Sequence, residues 1–237
     1  MELSTIADQL RQEANRLRFK KPVTHVYNPL DYAWDSHARY LERHGRGRKE
    51  VVLLGMNPGP WGMAQTGVPF GEINFVRDWL GINESVGKPK REHPRRPVMG
   101  FACPRREISG QRLWGWAKMN FETSQRFFNL FFVVNYCPLM FLEETGRNRT
   151  PDKLSAAERE PLFSVCDRAL RRTIEALRPR FVIGVGAFAE TRARMALEGL
   201  NVSIAGILHP SPASPAANRD WAGKASTQLG RLGIRVK

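Results

Sequence analysis

The sequence predicts an α/β fold of three layers, α/β/α, around a central, mostly parallel four-stranded sheet. Two observations carry this. Four short β-branched or aromatic runs fall at residues 51–54, 130–134, 181–185 and 202–208. All but the last are continuously apolar, as strands buried on both faces are. Helical patterns separate these runs, and strands alternating with helices form a parallel sheet covered on both sides.

In chain order, Leu3, Ile6, Leu10, Ala14 and Leu17 recur at near-helical spacing over residues 2–19, and the chain turns at Lys21-Pro22. Residues 33–44, around Tyr32, Trp34 and Leu41, predict a second helix. It ends in the flexible basic turn Gly45-Arg46-Gly47-Arg48. Residues 1–48 therefore read as a helical lead-in to one domain spanning 1–237, a length that one large α/β unit accommodates. Residues 81–112 break the pattern. Pro89, Pro94, Pro97 and Pro104 among many Lys and Arg predict a long, basic, irregular insertion, and such loops tend to be functional.

Ser155 and Glu158 form a candidate capping box ahead of the stripe Leu162, Val165, Cys166, Ala169, Leu170, Ile174 and Leu177, with Pro161 in the first turn or at a kink. Residues 188–197 and 218–232 complete the helices.

Lys and Arg outnumber Asp and Glu by 37 to 23, a formal net charge of +14. A domain this basic usually meets a polyanion, although a merely basic surface is the plain alternative. The three cysteines, Cys103, Cys137 and Cys166, form no Cys-x-x-Cys pair, which argues against a zinc knuckle or an iron–sulfur cluster and for reduced structural thiols. No apolar run nears the roughly 18 residues that span a bilayer, and the N-terminus has no secretory signature. The expectation is an intracellular protein away from membranes, with the nucleoid in a prokaryote or the nucleus in a eukaryote.

In open parallel sheets, ligands bind beyond the carboxyl ends of the strands. Those ends read Gly55-Met56-Asn57-Pro58-Gly59, Asn135-Tyr136-Cys137-Pro138, Gly184-Val185-Gly186 and His209-Pro210-Ser211-Pro212. Each has a plain alternative: Asn57 and Asn135 suit turns, a lone His is usually structural, and Gly184-x-Gly186 lacks a full phosphate-loop pattern. Phe101, Trp114 and Trp116 suit a core or a DNA channel. The pairs Arg95-Arg96 and Arg105-Arg106 suit phosphate contacts or a solvated loop.

The stretch from Gly55 through Asn57, Gly59, Met63 and Phe70 to Gly71 closely resembles the first motif of the single-strand-selective monofunctional uracil-DNA glycosylases. His209-Pro210-Ser211-Pro212 resembles their second. Asn135-x-Cys137-Pro138-Leu139, Gly146-Arg147-Asn148-x-Thr150-Pro151 and Val185-Gly186 also match, from about Tyr27 onward.

The resemblance implies a hydrolase of base excision repair that acts on uracil in single- and double-stranded DNA as a monomer, with no metal and no cofactor. It implies that Asn57 positions the attacking water, Phe70 stacks on the flipped base, Asn135 reads its Watson–Crick edge and His209 stabilises the leaving base. Gly59 and Met63 would flank the pyrimidine 5-position, where hydroxymethyluracil enters. Pro210, Ser211, Pro212, Ala213 and Ser214 would form the loop that enters DNA, with Ala213-Ser214 standing where vertebrate members carry Arg-Asn.

An amide does not titrate, so Asn57 is no strong general base, and cleavage must be largely dissociative. No Lys lies in either motif to form a Schiff base, so the expected product is an intact abasic site. The rivals are a glycosylase of the same fold for xanthine or hypoxanthine, a non-catalytic nucleic-acid-binding protein, and a small-molecule enzyme with a phosphate loop at Gly184.

Overall fold

The computed structural model describes residues 2–236. Its elements run α1 (Leu3–Arg16), β1 (Val23–Tyr27), α2 (Pro29–Tyr32), α3 (Trp34–His44), β2 (Val51–Gly55), α4 (Met63–Thr66), α5 (Ile108–Phe121), α6 (Ser124–Leu130) and β3 (Phe131–Asn135). They continue with β4 (Met140–Glu143), β5 (Asn148–Arg149), α7 (Ala156–Leu177), β6 (Phe181–Val185), α8 (Ala187–Ala196), β7 (Ser203–Ile207) and α9 (Ala217–Arg231).

The main sheet has the order β3-β2-β6-β7, every pair parallel. Each of the four apolar runs is one of its strands. Central β2 and β6 are buried at every residue, whereas β7 at the edge is half-exposed along most of its length. That is why its sequence alternates instead of running apolar. Helices α1, α7 and α8 pack together, while α5 packs on α6 and α9.

Helix α7 begins at the expected capping box. The Ser155 N–H donates to the Glu158 carboxylate at 3.2 Å, and the helix continues through Pro161.

Two expectations need correction. The lead-in 1–48 is not wholly helical, because it contains β1, which joins β4 and β5 in a second, antiparallel sheet. Its five residues, Val23–Tyr27, are too short and too mixed to announce a strand. The insertion 81–112 is irregular only to Glu107; its last residues begin α5. It is also packed down, with Ile82, His93, Val98 and Cys103 buried. Of the two readings open for Trp114 and Trp116, the structure shows the core.

Two buried histidines mark the core beside α3. The His37 Nδ1–H donates to the Gly67 carbonyl at 2.8 Å, and the His44 Nε2–H to that of Leu80 at 3.2 Å. Burial lowers both pKa values from 6.5 to about 4. Both stay neutral when folded but take up protons when unfolded as pH falls below 6.5. Their contribution to stability is complete above pH 6.5 and declines toward pH 4. The urea midpoint is expected to fall across that window, and less steeply in His44→Gln.

Candidate active site

The carboxyl ends of β2 and β3 do not part where the strands stop. The Tyr136 N–H donates to the Gly55 carbonyl, and the Cys137 N–H to that of Met56, both at 2.9 Å. Beyond these bonds, the Asn57 side-chain NH2 donates to the Leu139 carbonyl at 3.2 Å. With its nitrogen tied down, Asn57 presents Oδ1 as an acceptor.

Gly55 decides how close the next two side chains come. A Cβ there would fall 2.6 Å from Cε2 of Phe70 and would also collide with the Asn135 carbonyl oxygen. The Asn135 NH2 turns the other way, donating to the Met63 sulfur at 3.2 Å. Phe70 adopts a left-handed backbone with φ 53°, a conformation that costs energy in a residue with a Cβ. Its carbonyl is held by the Trp114 indole N–H at 3.0 Å and the Glu72 N–H at 2.7 Å.

His209 enters from beyond β7. Helix α9 anchors the residue before it, for the Trp221 indole N–H donates to the Leu208 carbonyl at 2.6 Å and the Leu208 N–H to the Gln228 side chain at 3.0 Å. At the end of β6, Gly186 (φ 94°) lies against the imidazole, and a Cβ would sit 3.3 Å from Cδ2 of the ring. The Ser211 N–H donates to His209 Nδ1 at 3.0 Å. An accepting Nδ1 carries no proton, so the tautomer is Nε2–H. Burial holds the pKa below 6.5. The ring is a neutral donor at physiological pH.

Asn57, Gly59, Met63, Phe70, Asn135 and His209 line one cleft of about 360 Å³. The rings of Phe70 and His209 lie 6.3 Å apart, tilted at 41°. Every residue given a base or water contact by the resemblance is therefore in one place. Of the loop 210–214, Ser211 lines the cleft and Pro212 and Ala213 are exposed. Pro210 is buried, its carbonyl bound by Arg112 at 2.9 Å. Gly184 serves packing: a Cβ there would collide with the backbone of Glu190 in α8, so this segment is no phosphate loop.

Residues to which the sequence assigned no role also line the cleft: Glu107, Ser109, Asn148 and Thr150. Glu107 caps α5, accepting the Ser109 N–H at 3.1 Å. Burial pushes its pKa above the usual carboxylate value, and Oε2 would lie 2.6 Å from a Cβ on Gly59. Its signal was an N-cap ahead of the apolar positions Leu113, Trp114 and Ala117. The Asn148 NH2 donates to the Pro58 carbonyl at 3.2 Å, bracing the loop that carries Asn57. Asn148 and Thr150 stood inside a matched motif, but nothing in that motif said what either does.

Cys103, Cys137 and Cys166 are buried and unpaired. Among the described residues no group of three or more His, Cys, Asp or Glu could hold a metal ion, and no helix is long and apolar enough to cross a membrane.

An α/β/α sheet with a neutral amide and a neutral imidazole meeting at its strand ends defines the class, and residues 43–228 match the family model described as the uracil DNA glycosylase superfamily. The relatives narrow it. The chain is 54% identical to a single-strand selective monofunctional uracil-DNA glycosylase of Rattus norvegicus over 95% of its length and 82% of the relative's. It is 52% identical to the Mus musculus protein of that name, with the same coverage. Within the superfamily, the chain belongs to the single-strand selective monofunctional uracil-DNA glycosylases. The crystal structure of wild-type Pedobacter heparinus SMUG2 has the same fold, with a TM-score of 0.68, 17% identity, and coverage of 97% of this chain and 99% of that one.

Two measurements check the geometry. In a ¹⁵N NMR titration, His209 is expected as the Nε2–H tautomer, gaining its second proton only below pH 6.5. Gly55→Ala is expected to destabilise the fold by about 1–3 kcal/mol in urea denaturation, the usual cost of overpacking.

Proposed function

We propose that the chain excises uracil from DNA, hydrolysing the N-glycosidic bond of an extruded nucleotide and leaving an intact abasic site. The observation that carries this reading is the pairing of a fixed, neutral Nε2–H donor on His209 with a tethered Asn57 amide in one cleft.

Extruding a stacked base costs a few kcal/mol. Stacking on the Phe70 face contributes on the order of 1–3 kcal/mol in return. Asn135 reads the base: its carbonyl accepts from N3–H, and its NH2 donates to O4. Thioether sulfur is a weak acceptor, so the NH2 leaves Met63 for the base at little cost. Cytosine presents the opposite pattern at both atoms. Leaving those buried groups unpaired is what rejects it.

As the glycosidic bond lengthens, the sugar becomes oxocarbenium-like and negative charge gathers on uracil. The His209 Nε2–H donates to O2, where that charge develops, an oxyanion-hole type of stabilisation. Because burial disfavours the imidazolium and Ser211 occupies Nδ1, His209 acts through its Nε2–H dipole. Asn57 Oδ1 accepts from a water and holds it at the anomeric carbon, acting through position because an amide has no basicity to use.

Gly59 and Met63, with Glu107 behind them, flank the 5-position, which admits 5-hydroxymethyluracil. The small, neutral Pro212-Ala213 tip fits single strands better than paired duplex, where a bulkier wedge must displace a partner base. Double-stranded DNA is then the slower substrate, and the enzyme works as a monomer.

In single-turnover assays with a uracil-containing oligonucleotide, followed by alkali, Asn57→Ala and His209→Leu are each expected to lower excision by about 10²–10³-fold. DNA binding should stay near the wild-type value. Wild-type rates in both variants overturn the reading. The wild-type excision rate is expected to fall on the acid side of pH 6.5, because a proton on Nδ1 expels the Ser211 N–H and turns the ring. A rate that already falls above pH 6.5 argues against a neutral His209.

A further inference from the structure

Next to the cleft, two guanidinium groups lie over one indole. Cζ of Arg96 stands 5.2 Å from the Trp61 ring centroid, and that of Arg105 stands 5.7 Å from it. Trp61 follows Gly59 by two residues, and Arg105 precedes Glu107 by two, so both arms of this cluster start from the cleft wall. The Arg96 Nε–H donates to the Gly146 carbonyl at 2.8 Å, two residues before Asn148, a third part of that wall.

Gln65, almost fully buried, staples the supporting loops together. Its NH2 donates to the carbonyls of Pro60 and Pro97, both at 2.9 Å, and its carbonyl accepts the Met99 N–H at 2.8 Å.

The charge here is left open. Nearby carboxylates are engaged elsewhere: Glu92 with Lys88, Glu143 with Arg149, and Glu107 with the start of α5. Arg105 itself is exposed, and so are Arg95, Arg106 and Arg147 around it. A guanidinium laid on an aromatic face keeps its N–H edge free and loses less freedom when it meets a phosphate. Cleft, aromatic brace and uncompensated cations share one rim.

We propose that Trp61, Arg96 and Arg105 form a platform that binds the phosphodiester backbone of the DNA strand flanking the extruded base, a contact independent of the 210–214 loop. This rests on the glycosylase reading for its ligand. It also explains what the packed insertion 81–112 does, which is to carry Arg96 and Arg105 to the mouth of the cleft. Because the contact is to backbone, it serves a single strand as well as a duplex.

The test uses the full chain and a short, uracil-free single-stranded oligonucleotide, with anisotropy read across a salt series. Arg105→Ala is expected to weaken binding about 3–10-fold at low salt and to flatten the plot of log K against log salt by about 0.7, one phosphate contact on a single strand. Arg105→Lys keeps the slope but recovers only part of the affinity. Trp61→Leu loses affinity with both arginines present. Arg46→Ala, an exposed cation at the turn before β2 and thus at the amino ends of the strands, leaves affinity and slope unchanged.

Wild-type affinity and slope in Arg105→Ala overturn the proposal. So does an equal loss in Arg46→Ala, which would make net charge the cause. If the wild type excised no uracil while Arg105→Ala still lost binding, the glycosylase reading would fall and the platform would stand.

Discussion

The cleft exists because β2 and β3 remain hydrogen-bonded past the edge of the sheet. Two backbone bonds, from Tyr136 to Gly55 and from Cys137 to Met56, hold the departing chains at ladder spacing. A third, from the Asn57 amide to Leu139, uses a side chain for the same purpose. Asn57 is thereby fixed beyond β2, a fully buried central strand, and Asn135 ends β3 hydrogen-bonded beside it. Gly55 completes the arrangement by having no side chain where Phe70 and the Asn135 carbonyl converge.

The other half of the site has a different origin. His209 is not held by its own strand so much as by α9, through Trp221 and Gln228. The Ser211 N–H then selects its tautomer. Two halves built from separate supports meet in one cleft, where Phe70, on a left-handed backbone, lies against Gly55 and 6.3 Å from the His209 ring. Trp114, rooted in the aromatic core, holds that conformation in place. Strain at Phe70 is sustained by packing in the core.

Electrostatics divides along the same line. Inside the cleft, Asn57 and Asn135 present amides and His209 a neutral imidazole. Glu107, the carboxyl in the wall, is half-buried and pushed toward neutrality. Outside, the rim carries arginines that, among the described residues, have no carboxylate partner. On the proposed reading, DNA is drawn to the mouth by charge, and the base is then received by oriented dipoles that are ready before it arrives.

Much of this was legible in the chain itself. Three strands of the main sheet follow from continuous apolar runs that a doubly covered sheet explains, and the fourth from a mixed run that suits the exposed edge. The rule that ligands gather at strand ends pointed to Asn57, Asn135 and His209 before any geometry was known. What stayed hidden depended on long-range contact. Strand β1 is short and mixed, and becomes a strand only because β4 offers it an edge. The insertion 81–112 carries no periodicity before Glu107, and its order comes from Gln65, Tyr27 and Gly146, residues distant in sequence. Glu107 looked like one charge among many, because a carboxyl enters a cleft only when a helix start is packed against it. Local side-chain pattern determined the strands, the helices and the identity of the reactive groups; tertiary packing alone decided their tautomers, their orientations and which charges were left unpaired.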